Sequence, residues 1–127
     1  MALTGSCHCG AVKFEVDAAP DAVTSCNCTY CFRTGALWAY YQPDQVRLTA
    51  EPDKVATYQF GTFTGAHHHC AACGSNTHGE SLDWRDWKPG DEFPTKRIVG
   101  VNARMLDRNA FDLSAVPVAT VDGLNGW

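Results

Sequence analysis

Long apolar runs, basic runs and sustained helical periods are all missing from this sequence. Because no stretch approaches the roughly 20 apolar residues of a membrane-crossing helix, we expect no membrane span. Residues 1–4 carry neither the charged start nor the apolar stretch of a secretory leader, so we expect a cytoplasmic location. The sequence has ten basic and fourteen acidic residues and no basic run. It therefore disfavours a nucleic-acid partner.

The absence of a three-turn helical period, a repeat or a low-complexity tract predicts a mainly β fold. Short segments rich in β-favouring residues are separated by glycine and proline turns, as in a small sheet protein. The predicted strands are 11–16, 23–26, 36–41, 46–48, 55–60, 62–69, 98–101 and 116–121, and residues 82–94 are a predicted surface loop. A chain of 127 residues can bury one modest core, so we expect a single domain over 1–127.

Cysteine, in contrast, is abundant, and three of the seven cysteines fall within six residues at Cys26, Cys28 and Cys31. Thiolates are soft, anionic ligands, and three of them can curl towards one Zn²⁺ ion. So short a segment supplies no fourth sulfur. The coordination position that remains could take water, a substrate or a distant residue, and catalytic zinc sites keep such a position open.

The other four cysteines form two separated pairs, Cys7 with Cys9 and Cys70 with Cys73. Two pairs make one four-cysteine site of the structural type, which leaves the group of three as a second site. A disulfide framework is the alternative. An odd number of cysteines and the missing export signal weigh against it, so the spacing favours metal binding.

These spacings resemble those of the glutathione-dependent formaldehyde-activating enzyme family, whose domain is shared with centromere protein V. In both, the three-cysteine loop is followed by a basic residue and a glycine, here Arg33 and Gly35. The similarity extends over essentially the whole chain. Further similar segments are 73–74, 77–78, 100–102, 106–107 and 122–125.

The resemblance implies a small zinc-stabilised β-tent domain with two zinc sites. It assigns the structural zinc to Cys7, Cys9, Cys70 and Cys73, in agreement with the partition drawn from spacing. It assigns the second zinc, with an open fourth position, to Cys26, Cys28 and Cys31. The implied activity joins glutathione to formaldehyde as S-hydroxymethylglutathione, or cleaves that adduct as a carbon–sulfur lyase. The implied partners are therefore a small-molecule thiol and an aldehyde.

Addition of a thiol to an aldehyde requires a group that carries a proton to the new oxygen, and a neutral histidine suits this at neutral pH. The candidates are His8, His67, His68, His69 and His78. His78 is the first choice as the catalytic residue because it matches the family's Thr-His pattern. Arg33 could bind a carboxylate of the glutathione co-substrate through two parallel hydrogen bonds, although a surface ion pair is an equal alternative.

Two alternatives to this activity stay open on the sequence. In the first, the chain is a non-catalytic zinc module that binds a protein or a nucleic acid, and His69 or His78 closes the three-cysteine site. In the second, a related zinc enzyme acts on a different thiol or aldehyde, because residues 79–87 are acidic and aromatic where relatives carry a basic cluster. The sequence does not predict the oligomeric state.

Overall fold

The computed structural model describes residues 2–61 and 63–123 and is built mainly from β-strands, which confirms the predicted fold class. The strands in the described residues are β1 Leu3–Ser6, β2 Val12–Val16, β3 Val23–Cys26, β4 Trp38–Tyr41, β5 Val46–Ala50, β6 Val55–Tyr58, β7 Ala66–Cys70, β8 Asn76–Leu82, β9 Arg97–Asn102 and β10 Val118–Val121. One α-helix, α1, spans Thr29–Thr34. None of the described helices has the length and apolar character needed to cross a membrane.

The strands form two sheets of unequal size. The larger sheet has the order β10-β3-β4-β9-β8-β7-β6, and the smaller has the order β1-β2-β5. All pairs are antiparallel except β10 with β3. A register shift lies between His68 and His69 of β7, so the alternation of side chains along this strand is interrupted there.

The main core lies between the two sheets, because both contribute buried apolar side chains to it. The predicted alternation in β2 is confirmed, with Val12, Phe14 and Val16 buried. Burial of these side chains provides the main favourable free energy of folding. The core cluster consists of Leu3, Phe14, Val16, Val23, Ala39, Tyr41, Val101, Ala103, Leu106 and Phe111.

Three elements depart from the sequence prediction, one of which is strand β8, Asn76–Leu82, where the sequence predicts no strand. Leu3–Ser6 forms β1 through pairing with β2, a tertiary contact that four residues cannot encode in their own periodicity. Residues 29–34 form α1 where the sequence predicts a cysteine loop and a turn. Cys28 caps the start of this helix by accepting a hydrogen bond from the Cys31 amide, and Gly35 ends it at a φ of 68°.

The strand predicted over residues 62–69 is shorter in the structure and begins at Ala66. Thr62 lies outside the described residues, as do residues 124 and 125.

Candidate metal centres and active-site cavity

The four cysteines of the two separated pairs meet at one point. Cys7 and Cys9 lie in the turn after β1, and Cys70 and Cys73 lie at the end of β7 and in the turn that follows. Their four sulfur atoms all lie within 4.8 Å of one another, with Cys7 to Cys9 at 3.7 Å and Cys9 to Cys70 at 3.6 Å. Sulfurs placed about 2.3 Å from a zinc ion in a tetrahedron stand about 3.8 Å apart. These residues therefore fit a metal ion.

Hydrogen bonds at this group favour the thiolate form that a metal requires. The Val12 amide donates to Cys7 Sγ at 3.3 Å, and the Cys73 amide donates to Cys70 Sγ at 3.4 Å. Hydrogen bonds with the side chain and backbone of Ser75 lower the pKa of Cys73 to about 5. Because the thiolate is the ligand form, the donors around the sulfurs prepare the group for a cation.

The second group brings Cys26, Cys28 and Cys31 together, with their sulfurs also within 4.8 Å of one another. Cys26 ends β3, Cys28 caps α1, and Cys31 is buried inside that helix. Each sulfur accepts an N–H: Cys26 from the Cys28 amide at 3.4 Å, Cys28 from the Cys31 amide at 3.3 Å, and Cys31 from the Trp38 indole at 3.3 Å. Such donors stabilise anionic sulfur.

The group of three could hold a metal ion with one position left for a further ligand. Burial raises the pKa of Cys31 to about 12 despite the hydrogen bond from Trp38, and a bound cation would favour the thiolate. Within the described part of the chain, no His, Asp or Glu ligand atom completes the group. The donor set therefore fits a site whose fourth ligand is a guest molecule.

A cavity of about 260 Å³ opens beside these three sulfurs. The cysteines form one wall, and aromatic rings from β4 and β7 form another, together with Phe60. The floor is the face of the large sheet where β8 and β9 run side by side. The residues of the aromatic wall and the floor are Trp38, Tyr40, Phe60, Gly65, His67, Gly79, Glu80, Ser81, Ile98 and Gly100.

A single row of residues across five strands explains why the cavity lies here. Strand register places Tyr58 opposite His67, His67 opposite Gly79, Gly79 opposite Gly100, and Gly100 opposite Tyr40. Residues that oppose each other across strands present their side chains on the same face of a sheet. Two adjacent glycines leave that face empty between His67 and Tyr40, and the empty space is the bottom of the cavity.

The comparisons with known proteins agree with this site. A family model described as glutathione-dependent formaldehyde-activating enzyme matches residues 2–109. The chain belongs to this family. Residues 2–109 include all seven cysteines of the two groups and every residue that lines the cavity.

Two known proteins are similar to this chain. A Halomonas elongata protein with the provisional name of glutathione-dependent formaldehyde-activating enzyme is 32% identical in an alignment of 88 residues that covers 59% of this chain. The chain spans about half of that relative, since the match covers 54% of its length. A crystal structure of a Rhodobacter sphaeroides protein is 32% identical with a TM-score of 0.66, over 91% of this chain and 99% of that one.

In this member of the family, the histidine at the cavity is His67. Its ring stacks on Tyr30 of α1 at a centroid distance of 4.1 Å and on Phe60 at 5.5 Å. Its Nδ1 atom is buried and has no hydrogen-bond partner among the described residues. Burial lowers the pKa of His67 from its ordinary value, so the ring is neutral at neutral pH. A neutral, half-buried imidazole with a free nitrogen can accept and return a proton.

The structure does not bring His78, the first choice from the sequence, to the cavity. His78 precedes Gly79 in β8, so its side chain points to the opposite face of the sheet. There it stacks on His68 at 4.6 Å, and its Nδ1 lies 2.9 Å from the Thr77 hydroxyl. Neither His69 nor exposed His8 lines the cavity either. From the sequence alone, the alternation along residues 67–69 does not show which of these histidines faces the site. The strand register shows that His67 faces it.

Arg33 lies beside the cavity and outside its lining. Its side chain is exposed on α1, where Nη1 donates a hydrogen bond to the Thr29 carbonyl at 3.0 Å. It lines a neighbouring surface groove together with Tyr30, Tyr58 and Phe60. Phe60 borders both the cavity and this groove, so the two spaces are neighbours on the surface.

Proposed function

We propose that this chain is a zinc-dependent enzyme of the carbon–sulfur lyase type. It forms or cleaves a thiol–aldehyde adduct, such as S-hydroxymethylglutathione from glutathione and formaldehyde. In this proposal the domain is a zinc-stabilised β-tent, with a structural zinc at the four-cysteine group and a catalytic zinc at the group of three. A cytoplasmic location, where thiols stay reduced, belongs to the same proposal.

The observation that carries the proposal is the placement of the three-cysteine group on the wall of a cavity. The sulfurs of Cys26, Cys28 and Cys31 lie within ligand distance of one centre, and the described residues add no fourth protein ligand. A purely structural site would be closed by four protein ligands. The non-catalytic alternative needs His69 or His78 to close the group, and neither belongs to it in the described chain.

A zinc ion with one free position would hold an entering thiol as a thiolate at neutral pH. The His67 imidazole takes the thiol proton, because its ring is neutral and lines the cavity. The sulfur lone pair then forms the S–C bond as the C=O double bond becomes a C–O single bond. His67 returns the proton to that oxygen, so one thiol and one aldehyde give one hydroxyalkyl thioether. Cleavage runs through the same proton transfers in reverse.

The dimensions of the cavity support a small aldehyde. A volume of about 260 Å³ lies below the range of pockets that enclose drug-sized ligands. It accommodates a sulfur, its neighbouring carbons and a one-carbon aldehyde, while the body of a tripeptide thiol extends along the groove beside Arg33. The aromatic walls exclude water from the reacting atoms, which favours addition of sulfur over hydration of the aldehyde.

The proposal predicts that a Cys28→Ser variant loses one zinc ion of two and its adduct-forming activity while it stays folded. Cys28 contributes a ligand to the group of three only, and the four-cysteine group is untouched. Zinc content by atomic emission, circular dichroism and an NMR assay of ¹³C-formaldehyde with glutathione measure the three quantities. Full turnover by this variant would refute the assignment.

A further inference from the structure

We infer that the Gly79–Gly100 pair forms the floor of the aldehyde pocket and limits the size of the aldehyde. The inference rests on the proposed function and adds to it the residues that select the substrate. Both glycines are buried, both line the cavity, and they oppose each other in register on β8 and β9. Cys26, Cys28 and Cys31 line the same cavity.

Gly100 sets the depth of this pocket. A Cβ atom built on Gly100 would lie 3.3 Å from Trp38 Cε3 and 3.3 Å from Tyr40 Cε1. Both atoms belong to rings that line the cavity, so a methyl group here occupies cavity volume and presses on its walls. A methyl group on Gly100 therefore fits only if Trp38 or Tyr40 shifts by a few tenths of an ångström.

Gly79 gives His67 its access to the same space. A Cβ on Gly79 would lie 3.0 Å from the Ala66 carbonyl oxygen and 3.3 Å from His67 Nδ1. His67 Nδ1 is therefore packed close to the Gly79 backbone, and a side chain at Gly79 would displace the His67 ring from its place at the cavity. A carbonyl oxygen seated over the two glycines lies next to the group that returns the proton.

Ile98 forms the far end of the pocket. It precedes Gly100 by two residues in β9, so it lies on the same sheet face, and it is buried with its side chain in the cavity lining. Val99, between them, faces the opposite side and packs against the main core. In this strand, Gly100→Ala should therefore narrow the pocket, Ile98→Val should widen it, and Val99→Ala should leave it unchanged.

The test measures both turnover and equilibrium binding. Wild type, Gly100→Ala, Ile98→Val and Val99→Ala are loaded with zinc, and adduct formation is followed with formaldehyde and with acetaldehyde. In parallel, calorimetry measures the affinity of S-methylglutathione and S-propylglutathione, whose alkyl groups probe the space beyond the sulfur without any reaction. One methylene in a tight pocket changes selectivity by about tenfold or more.

We expect Gly100→Ala to lower the ratio of acetaldehyde to formaldehyde turnover, and S-propyl relative to S-methyl affinity, by about tenfold. Ile98→Val should shift both ratios in the opposite direction, and Val99→Ala should leave them unchanged. If Gly100→Ala fails to fold, the comparison of Ile98→Val with Val99→Ala is enough to test the pocket assignment. Unchanged ratios in Ile98→Val, or equal shifts in Val99→Ala, would overturn the pocket assignment even if the wild type forms the adduct. A wild type that forms no adduct, yet shows the size-dependent S-alkyl binding, would overturn the proposed function and leave the pocket in place.

Discussion

At the scale of single residues, the two histidines His67 and His78 make the sharpest contrast. They lie on neighbouring strands of one sheet, but His67 borders the three-cysteine cavity while His78 packs against His68 on the other face. Both rings are partly or fully buried, and burial lowers the pKa of each. The two rings are similarly buried, but only His67 borders the cavity. We therefore expect different roles for the two histidines.

His67→Gln should lower kcat for adduct formation by about 100-fold, because general acid–base catalysis contributes at least that much in typical enzymes. His78→Gln should leave kcat within a few-fold of wild type. Steady-state kinetics of both variants, with calorimetric binding of S-methylglutathione as the folding and binding control, compares them. A large loss of kcat in His78→Gln with none in His67→Gln would reverse the roles and restore the sequence-based choice.

His78 should make the protein less stable towards acid. Its pKa in the folded state is about 4, lowered by burial and by nearby His68, whereas an exposed histidine titrates near ~6.5. The unfolded chain therefore binds more protons between these two values, and the free energy of unfolding falls as pH is lowered from about 6.5 towards 4. The loss approaches about 1 kcal/mol per pH unit within the window.

Urea unfolding at pH 5 and pH 7 measures this effect as a difference between wild type and His78→Gln. Loss of metal in acid affects both proteins equally, so it cancels in the comparison. Glu80, whose Oε1 lies 3.6 Å from His68 Nε2, remains in both. The variant should lose less stability than wild type over this range, and parallel pH dependence in the two proteins would contradict the expectation.

At the scale of secondary structure, α1 depends on its neighbours. Six residues are too few for an isolated helix to form in water. Tertiary contacts supply what the helix lacks: the Asn76 side-chain amide donates to the Tyr30 hydroxyl at 2.9 Å, and Asn102 Nδ2 donates to the Asn76 carbonyl at 3.0 Å. Asn76 begins β8 three residues after Cys73, so this bond ties the helix of the second cysteine group to the strand that leaves the first.

Asn76→Ala and Tyr30→Phe should each weaken metal binding at the three-cysteine group by about tenfold, because supporting residues hold ligands in position. Competition with a chromophoric chelator measures that affinity, and the four-cysteine group serves as the internal control. The double variant should be no weaker than either single variant, since both remove the same hydrogen bond. Additive losses would show that the bond does not connect the two residues energetically.

At the scale of the whole molecule, the four-cysteine group joins the two sheets. Cys7 and Cys9 follow β1 of the small sheet, and Cys70 ends β7 of the large sheet, 61 residues beyond Cys9. A metal that clips so long a segment restricts the unfolded chain and holds the sheets against the main core. The two cysteine groups therefore have separate effects on stability.

Cys70→Ser should unfold the chain or lower its free energy of unfolding by several kcal/mol, because Cys70 is fully buried and structural metal binding is coupled to folding. Cys28→Ser should cost much less. Thermal unfolding followed by circular dichroism compares the stability of the two variants. Stepwise removal of metal from the wild type with a chelator should abolish activity before the protein unfolds. If the two variants were equally stable, the four-cysteine group would not be what holds the two sheets together.

The family and the two cysteine groups could be predicted from the sequence, because metal ligands are specific residue types at specific spacings. The division of the cysteines into four and three agrees with the two clusters in the structure, and the alternation at Val12, Phe14 and Val16 identified a core strand. These features are local in sequence or depend on side-chain type alone. The mainly β class followed from the same local patterns.

Which residues stand around the cavity was decided only by the tertiary structure. Tyr40, His67, Gly79 and Gly100 come from four strands, and their meeting depends on strand order and register, which no single segment contains. A shift of one residue in any of these strands would turn its side chain to the opposite face and remove it from the site. The sequence therefore determined that two cysteine groups of metal-ligand type are present, while the pairing of distant strands determined that His67 borders the cavity and how large that cavity is.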